Sequence, residues 1–414
     1  MLMLSELLRF RVTDAQGENT KLVDLVIRQL DTDYPLITHL IYRQNHNTER
    51  VLPWNTVKAI DQANRQINIE NYKHTQAVDT LGQAVRLRRD VLDALILDLQ
   101  NRRATRANDL WLEEEEGKLR LSAADTSVRA ILRRLARGWY RGVNRQILYD
   151  WKYIEFLRGD PQAVKAGAGY HRRIIHLPPG EIAHLAAAVP YLHAAELLEL
   201  LPEQLAADTL EVIPPERQLQ VFEELEEKRA LQLLKLMAPD LAADIIGRLD
   251  TKLARHYLNK LPRKSGERIV ELLQYPENSV GGIMTNDVVT LPINLKVAEA
   301  HRKLREQLKE PDFVYFLYVV EKEAPHKLRG VLSLRHFLTA KDDQTIEEIM
   351  NPYLITLSPL DSPQKAADQL LNSQLAALPV VGNEGQLLGA VTIDAAISQV
   401  APRSWRAQAP RVFS

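Results

Sequence analysis

Two aspartates spaced four residues apart in the middle of the chain are the first candidates for metal chemistry. Asp240 and Asp244 lie in the phrase MAPDLAAD, residues 237–244. On a helix, this spacing places both carboxylates on one face near the helix N-terminus. Two carboxylates on one face suit a hard cation such as Mg2+, completed by water and other oxygen ligands. The alternative is that both acids only stabilise the start of the helix by capping and by the helix dipole, and spacing alone favours this alternative.

The composition narrows the classes of protein to which the chain could belong. Its 414 residues carry a net charge of -1 and include no cysteine, which excludes disulfides, thiolate metal sites and cysteine nucleophiles. The sequence has no phosphate-binding loop, nucleophile elbow or paired zinc-binding histidines, so we predict that the protein is not an enzyme. The first residues lack a signal-peptide layout, and no stretch reaches the ~18 apolar residues of a membrane helix. We therefore expect a cytoplasmic protein without a membrane span.

The two aspartates fall within a stretch that repeats every twelve residues. Each unit begins with an apolar residue, usually followed by proline, and apolar residues recur eight and nine positions later. The units begin at Leu177, Val189, Leu201, Ile213, Leu225, Met237, Leu249 and Leu261. Each unit predicts a helix of roughly two turns, and helices this short must stack on one another to be stable. The middle of the chain is therefore predicted to be an all-α superhelical array.

A longer repeat follows the helical array. Ile283-Met-Thr returns as Ile349-Met-Asn, and Gly330-Val-Leu-Ser returns as Gly389-Ala-Val-Thr. Each copy predicts a β-α-β-β-α unit, and the two copies should form one α/β module. The adjacent glycines Gly281 and Gly282 stand between the array and this module. Such a pair can adopt positive φ or let another backbone come close, so we predict a hinge there.

These patterns together resemble the cytosolic part of MgtE-type magnesium channels. The phrase YPENSVGGIMT, residues 275–285, is similar to the join between the N-domain and the paired cystathionine-β-synthase (CBS) domains of that family. The resemblance implies that the array is an MgtE N-domain, which moves relative to the CBS pair when divalent ions bridge the two. It also implies that the CBS pair packs as a disc and forms a homodimer.

The resemblance strengthens the metal hypothesis, but this chain lacks some of the acidic residues that the family carries. In the family pattern M-x-P-D-D-A-A-D, the second aspartate is Leu241 in this chain. Of the acids that the family carries at the last CBS helix, only Asp394 is kept. We therefore select Asp240, Asp244 and Asp394 as candidate ligands of Mg2+.

CBS pairs commonly bind adenine nucleotides at a G-h-x-(S/T)-x-x-D phrase, and the resemblance implies two such phrases here. The Ser or Thr caps a helix whose N-terminus attracts phosphate, and the Asp binds the ribose hydroxyls. The candidate ligand-binding residues are Ser333, Arg335, Thr392 and Asp394. The ribose positions hold His336 and Ala395, so the expected carboxylates are missing and adenine nucleotide is a doubtful ligand.

The N-terminal region predicts short β-strands arranged as an internal repeat. The predicted strands of the first copy are Leu7–Val12, Lys21–Leu30, Leu36–Tyr42 and Arg50–Trp54, and the second copy starts near Val85. Trp54 and Trp151 hold equivalent places and are expected to be core residues. The two halves resemble tandem PRC-barrel domains, which implies docking onto a partner and no catalytic residues.

An arginine-rich stretch interrupts the second copy. Residues 126–149 contain no acidic residue, and the spacing of Arg129, Arg133 and Arg137 places most of the arginines on one helical face, with Ile131 and Leu132 opposite. One interpretation is a helix that contacts phosphate or RNA. The other, which we favour, is a solvated or partner-facing helix that pairs with the acidic run Glu113–Glu116.

The predicted fold is multidomain α+β, with small PRC-like β-barrels, an all-α array and a C-terminal α/β CBS pair. The predicted domains are residues 1–162, 170–275 and 276–400, followed by a basic tail, 401–414. The predicted function is that of a cytosolic regulatory protein that senses Mg2+ or another small ligand. It would signal to a partner such as a separately encoded divalent-metal transporter. The alternatives are an RNA- or ribosome-docking adaptor and an adenine-nucleotide sensor.

Overall fold

The computed structural model describes residues 1–27, 32–45, 48–81, 84–115, 117–135, 148–157, 173–307, 314, 316–321 and 326–400. The predicted basic tail, Trp139, Tyr140 and the arginines at 137, 141 and 145 lie outside these residues. The chain divides into two compact units, with the described residues up to 229 in the first and those from 230 to 400 in the second.

The first unit begins with a strand-rich region made of two sequential halves. The first half comprises β1 (Leu2–Met3), α1 (Leu4–Leu7), β2 (Arg11–Thr13), β3 (Asn19–Ile27), β4 (Ile37–Asn45), β5 (Thr48–Pro53), β6 (Val57–Asp61), β7 (Gln66–Ile69) and β8 (Gln76–Ala77). The second half comprises β9 (Val85–Arg86), a π-helical turn (Leu87–Val91), β10 (Leu95–Asp98), β11 (Arg103–Arg106), β12 (Asp109–Glu115), β13 (Lys118–Asp125), α2 (Val128–Leu135), β14 (Leu148–Asp150) and β15 (Ile154–Leu157). The predicted strand Leu7–Val12 was wrong at its start, because Leu7 ends a helical turn that buries Leu4 and Leu7.

The two halves exchange their first strands. Strand β1 pairs with β12 of the second half, and β9 pairs with β3 of the first half. One hydrophobic core includes side chains from both halves, among them Leu4, Leu25, Ile96 and Trp151. The halves therefore fold as one body rather than as two independent barrels.

A buried aspartate holds each exchanged segment in place. Asp24 on β3 accepts the backbone N–H groups of Arg88 and Arg89, which follow β9. Asp109 on β12 accepts the backbone N–H and the hydroxyl of Ser5, which follows β1. Burial raises the pKa of both carboxyl groups. Their equivalent positions and partners confirm the internal repeat that the sequence predicted.

Helix α2 is attached to this region through its arginine side. The Arg133 guanidinium is buried, donates to Asp125 at 2.9 Å and lies 3.6 Å from Asp109. Arg134 donates two hydrogen bonds to Asp93, at 2.5 and 2.7 Å.

The predicted pairing of this helix with the acidic run was wrong for the arginines that the structure describes. Glu113 and Glu115 instead lie beside Arg120, which is on the neighbouring strand of the same hairpin. Cross-strand pairing is local, so it satisfies these two acids without help from α2.

The helical array has the predicted twelve-residue period. Its helices are α3 (Pro179–Ala188), α4 (Tyr191–Leu200), α5 (Glu203–Val212), α6 (Pro215–Glu223), α7 (Glu227–Leu236), α8 (Pro239–Arg248), α9 (Thr251–Lys260) and α10 (Arg263–Leu272). Each starts two residues after the apolar residue that opens the sequence unit. Most apolar pairs eight and nine positions into the units are buried, as at Leu197 and Leu198 and at Ile245 and Ile246, whereas Leu258 is half-buried and Val270 is exposed. Of the array, helices α3 to α6 and the start of α7 belong to the first compact unit of the chain. The residues after Arg229 belong to the second compact unit.

Two arginines, of which Arg229 is buried and Arg217 is half-buried, hold helix ends together at a constant spacing. The Arg217 guanidinium donates to the carbonyls of Ala186 and Val189, at the end of α3. The Arg229 guanidinium donates to the carbonyls of Leu198 and Leu201 at 2.7 and 2.6 Å, at the end of α4. Both arginines thus bond carbonyls 31 and 28 residues earlier in the chain. They satisfy helix C-terminal carbonyls that have no partner within their own helix.

The CBS pair completes the second unit. Its elements are α11 (Val280–Ile283), β16 (Thr290–Pro292), α12 (Val297–Gln307), β17 (Phe316–Val320), β18 (Leu328–Ser333), α13 (Leu334–Thr339), α14 (Ile346–Ile349), α15 (Pro363–Ser373), β19 (Ala377–Val381), β20 (Leu387–Thr392) and α16 (Ile393–Val400). The first copy has the predicted β-α-β-β-α order. In the second copy the first strand is reduced to a parallel bridge between Leu357 and Val380.

The two CBS copies also exchange chain segments. Thr285, before the first copy, forms an antiparallel bridge with Ala390 on β20 of the second copy. Asn351, before the second copy, forms the equivalent bridge with Val331 on β18 of the first copy. The segment that follows the helical array is therefore built into the sheet of the second CBS copy.

We predict that Arg229→Met lowers the free energy of unfolding by about 2–4 kcal/mol, because it removes charged hydrogen bonds to two buried carbonyls. Urea unfolding followed by circular dichroism measures the change. Arg255→Met, on the exposed side of α9, is the control and should change stability by no more than about 0.5 kcal/mol. Equal unfolding midpoints for Arg229→Met and wild type would contradict the structural role of this arginine.

Candidate metal centre at the junction of the array and the CBS pair

Helix α8 places Asp240 against the segment that enters the CBS pair. Asp240 is in the first turn of α8, directly after Pro239 at the helix start. Its carboxylate accepts a hydrogen bond from the Thr285 hydroxyl, and Asp287 is close enough to interact with its charge. The Oδ1 atom of Asp240 is buried and has no hydrogen-bond partner among the described residues. One carboxylate oxygen at this junction is therefore uncompensated.

The surroundings of Asp240 favour its neutral form. Burial raises the pKa of Asp240 to about 6, and the negative charges of Asp244 and Asp287 act in the same direction. The Thr285 hydrogen bond opposes the shift but does not cancel it. A cation at this position would remove the penalty of holding the charged form.

Asp244 lies one helical turn further on and is exposed to solvent. Partial desolvation by its neighbours raises the pKa of Asp244 to about 6, Arg248 opposes the shift, and Glu277 adds to it. Since solvent screens this exposed group, Asp240 is the better reporter of the junction. The structure thus brings Asp240 and Asp244 onto one face of α8, as the spacing predicted.

Helix α10 also contacts the segment that enters the CBS pair. The Arg268 guanidinium lies 2.9 Å from the Asp287 carboxylate. The Asn286 side chain donates to the Arg268 carbonyl at 3.0 Å and to the Glu271 carboxylate at 3.2 Å. Sequence patterns do not single out Thr285, Asn286 and Asp287 as site residues, although the repeated phrase Ile-Met-Thr marks their neighbourhood.

The two glycines predicted as a hinge lie in the short helix α11. A Cβ on Gly281 would lie 2.5 Å from the Tyr275 ring, and one on Gly282 would overlap the Pro276 carbonyl. The Gly281 N–H donates to the Pro359 carbonyl at 2.8 Å. Close approach of neighbouring groups therefore accounts for both glycines, and the hinge stays a prediction.

Asp394 follows strand β20, whose Ala390 is bridged to Thr285. It is exposed in the first turn of α16, two residues after Thr392. Within the part of the chain that the structure describes, no three His, Asp or Glu side chains are close enough to hold a metal ion together. Asp394 as a third ligand remains a prediction.

The helix starts expected at the two nucleotide-type phrases are formed. The Ser333 hydroxyl accepts the His336 N–H at 3.2 Å at the start of α13. The Thr392 hydroxyl accepts the Ala395 N–H at 3.2 Å at the start of α16. Arg335 is exposed in the first turn of α13. Both capping hydroxyls have the predicted geometry, while the two ribose positions lack a carboxylate.

Comparison with known families identifies the two modules of the second half of the chain. The model of the MgtE intracellular N domain matches residues 177–278, and the CBS domain model matches residues 280–343 and 346–401. Residues 177–401 are an MgtE N domain followed by a CBS pair. Both are regulatory, non-catalytic domains. No helix among the described residues is long and apolar enough to cross a membrane.

Similar proteins agree with this assignment. The magnesium transporter MgtE of Thermus thermophilus is 34% identical over 133 residues, which are 32% of this chain and 29% of the transporter. The chain thus spans less than a third of that relative. The crystal structure of the cytosolic domain of the Mg2+ channel MgtE in complex with ATP matches 58% of this chain and 95% of its own, with TM-score 0.52 and 27% identity. The soluble part of a magnesium transporter matches 54% of this chain and 88% of its own, with TM-score 0.50 and 29% identity.

The raised pKa of Asp240 gives a pH-dependent prediction. Because the pKa of Asp240 in the folded state, about 6, lies above its ordinary value of 3.8, the stabilisation by the bound proton is fully present below pH 3.8 and is lost as pH rises through about 6. Asp240→Asn removes the charge, so at neutral pH the variant should be more stable than wild type by about 2 kcal/mol. The difference should vanish near pH ~4, where wild-type Asp240 is protonated.

Urea unfolding between pH ~4 and ~8 without divalent cations measures this dependence. The control is Asp343→Asn, which alters an exposed acid in a turn of the same unit. A variant that is no more stable than wild type at neutral pH would show that the charge of Asp240 carries no penalty.

Proposed function

We propose that this protein is a cytosolic, non-enzymatic regulator that senses a divalent cation, with Mg2+ as the first candidate. The observation that carries the proposal is the buried, unpartnered Oδ1 of Asp240 beside Thr285 and Asp287. It occurs where an MgtE N domain joins a CBS pair. This carboxylate is costly to ionise without a partner, and it lies in a module similar to that of magnesium transporters. Both features fit a site that a cation completes.

The residues present fit a hard cation. Asp240 and Asp244 would supply carboxylate oxygens from one face of α8, and water would complete the coordination of Mg2+, which usually keeps several of its waters. The Thr285 hydroxyl orients the Asp240 carboxylate. Asp394 is proposed as a further ligand candidate because strand β20, which precedes it, is bridged to Thr285.

The mechanism that we propose is linkage between cation binding and domain arrangement. A cation with greater affinity for one arrangement of α8 and the CBS pair shifts the population toward that arrangement. Neutralising Asp240 would remove the repulsion among Asp240, Asp244 and Asp287. The shift would be transmitted through Thr285 into the sheet of the second CBS copy.

We propose that the chain acts as a homodimer through its CBS pair and signals to a separately encoded divalent-metal transporter. The support is similarity to the cytosolic domain of a Mg2+ channel, together with a strand-rich N-terminal region that lies outside both matched families. In this proposal the PRC-like region is the part that docks onto the partner. The hinge proposed at Gly281 and Gly282 would separate the array from the CBS pair.

Millimolar Mg2+ should raise the unfolding temperature of the wild-type chain and protect residues 275–285 from limited proteolysis, because a ligand that binds only the folded state stabilises it. Both effects should be lost in Asp240→Asn/Asp244→Asn. A parallel titration with Mn2+ compares the two cations, and NaCl at equal ionic strength separates binding from screening.

Asp343→Asn provides the matched control and should respond to Mg2+ like wild type. Asp394→Asn tests the third ligand candidate separately. An unchanged unfolding temperature and unchanged cleavage at every cation concentration would rule out the sensor function. A response that survives in the double variant would place the cation elsewhere.

A second candidate function is adenine-nucleotide sensing by the CBS pair. Two observations favour it: the capped helix starts at Ser333 and Thr392, and the similarity to an MgtE domain crystallised with ATP. Helix N-termini bind phosphate well, and Arg335 adds a positive charge beside one of them. The missing ribose carboxylates at His336 and Ala395 argue for weak binding.

Isothermal titration with ATP tests this candidate. If ATP binds at the first copy, Arg335→Gln should weaken binding about tenfold, since a charged phosphate contact contributes about 1.5 kcal/mol. Lys327→Gln, a change on the neighbouring strand region, is the control. Absence of heat at millimolar ATP would eliminate the nucleotide candidate and leave the cation candidate untouched.

The RNA-docking alternative receives less support. Arg133 and Arg134 are engaged by Asp125 and Asp93, so these two cations are not directed at an external phosphate. Of the arginines described on α2, Arg129 is the one that is exposed.

A further inference from the structure

Helix α2 presents its apolar face to the outside of the first unit. The exposed fractions are 69% for Val128, 37% for Ile131 and 42% for Leu132. Spacings of three and four residues place these side chains on one face of the helix. Surface helices normally turn such a face toward the core, so the orientation of α2 is reversed.

Buried charges fix this reversed orientation. Ala130 and Arg133 are buried on the inner side of α2, where Arg133 contacts the buried carboxylates of Asp109 and Asp125. Rotating the helix to bury Ile131 and Leu132 would leave these carboxylates without their cation, which is a large penalty in a buried site. The outward apolar face is therefore a stable feature of the fold.

Three exposed arginines lie on α2 or near its end. Arg129 is on α2 itself, and Arg9 donates to the Arg134 carbonyl at the end of the helix at 3.4 Å. Arg106 donates to the backbone carbonyl of Asp93, the residue that binds Arg134. Arg129 thus adjoins the aliphatic side chains on the helix, Arg9 and Arg106 lie near the end of the helix, and their positive charge complements a negatively charged surface.

We propose that this face, defined by Val128, Ile131 and Leu132 with Arg9, Arg106 and Arg129, binds the surface of an anionic lipid bilayer. Aliphatic side chains insert at the boundary between headgroups and acyl chains, and guanidinium groups bond lipid phosphates. Exposed aliphatic side chains with guanidinium donors nearby suit a fluid anionic surface better than a partner read by specific side-chain acceptors. The proposal goes beyond cation sensing and does not depend on it.

Flotation of the full chain with vesicles tests the proposal. Vesicles of equal parts phosphatidylglycerol and phosphatidylcholine should bind the protein. Pure phosphatidylcholine vesicles should bind it at least about tenfold more weakly, because each basic residue near an anionic surface contributes about 1 kcal/mol. Ile131→Asn/Leu132→Asn should reduce binding to the anionic vesicles about tenfold, because each loses apolar area that would be buried in the bilayer. Both side chains are exposed, so the variant should unfold at the wild-type temperature.

Two further variants sharpen the interpretation. Leu338→Asn removes an apolar side chain that is 63% exposed on α13 and should bind vesicles like wild type. Arg129→Gln should weaken binding and flatten its dependence on salt. No binding to anionic vesicles at low salt, or equal binding by Ile131→Asn/Leu132→Asn and wild type, would overturn the proposal and assign the face to a protein partner.

Discussion

The second unit depends on one aspartate whose ionisation costs free energy. Asp240 begins a short helix, contacts the first residues of the CBS pair and keeps one carboxylate oxygen without a partner. A buried charge without full compensation carries a free-energy penalty, which either a bound proton or a bound cation would remove. The rest of the second unit can be understood as the framework that keeps this carboxylate where it is.

That framework consists of short elements that are stable only in combination. Helix α8 packs with α9 and α10, and α10 is connected to Asp287 through Arg268. The segment around Thr285 is in turn bridged to β20. Because Gly281 and Gly282 allow close approach of Tyr275 and Pro276, the chain passes from α10 into the CBS sheet without loosening these contacts. In the proposed mechanism, a change at Asp240 is passed through Thr285 to the second CBS copy.

The sequence predicted those features that depend on periodicity. The twelve-residue period fixed the start of each array helix, and the duplicated phrases predicted both CBS copies, because repeated burial imposes repeated apolar positions. Features that depend on distant partners were not predictable. Nothing near Arg133 in the sequence indicates that Asp109 and Asp125 neutralise it, and the exchange of β1 and β9 between the halves requires the tertiary structure. Thr285 and Asp287 were missed for the same reason, since their significance arises only from contact with α8.

Hydrogen–deuterium exchange with and without Mg2+ is the sharpest test of a cation site at the junction, because it measures protection of each backbone segment. The account predicts that millimolar Mg2+ slows exchange in residues 239–248 and 280–290 of the wild-type chain, with no slowing in Asp240→Asn. Exchange that is indifferent to Mg2+ in these segments, or slowing confined to the strand-rich residues before 158, would contradict a cation site at the junction.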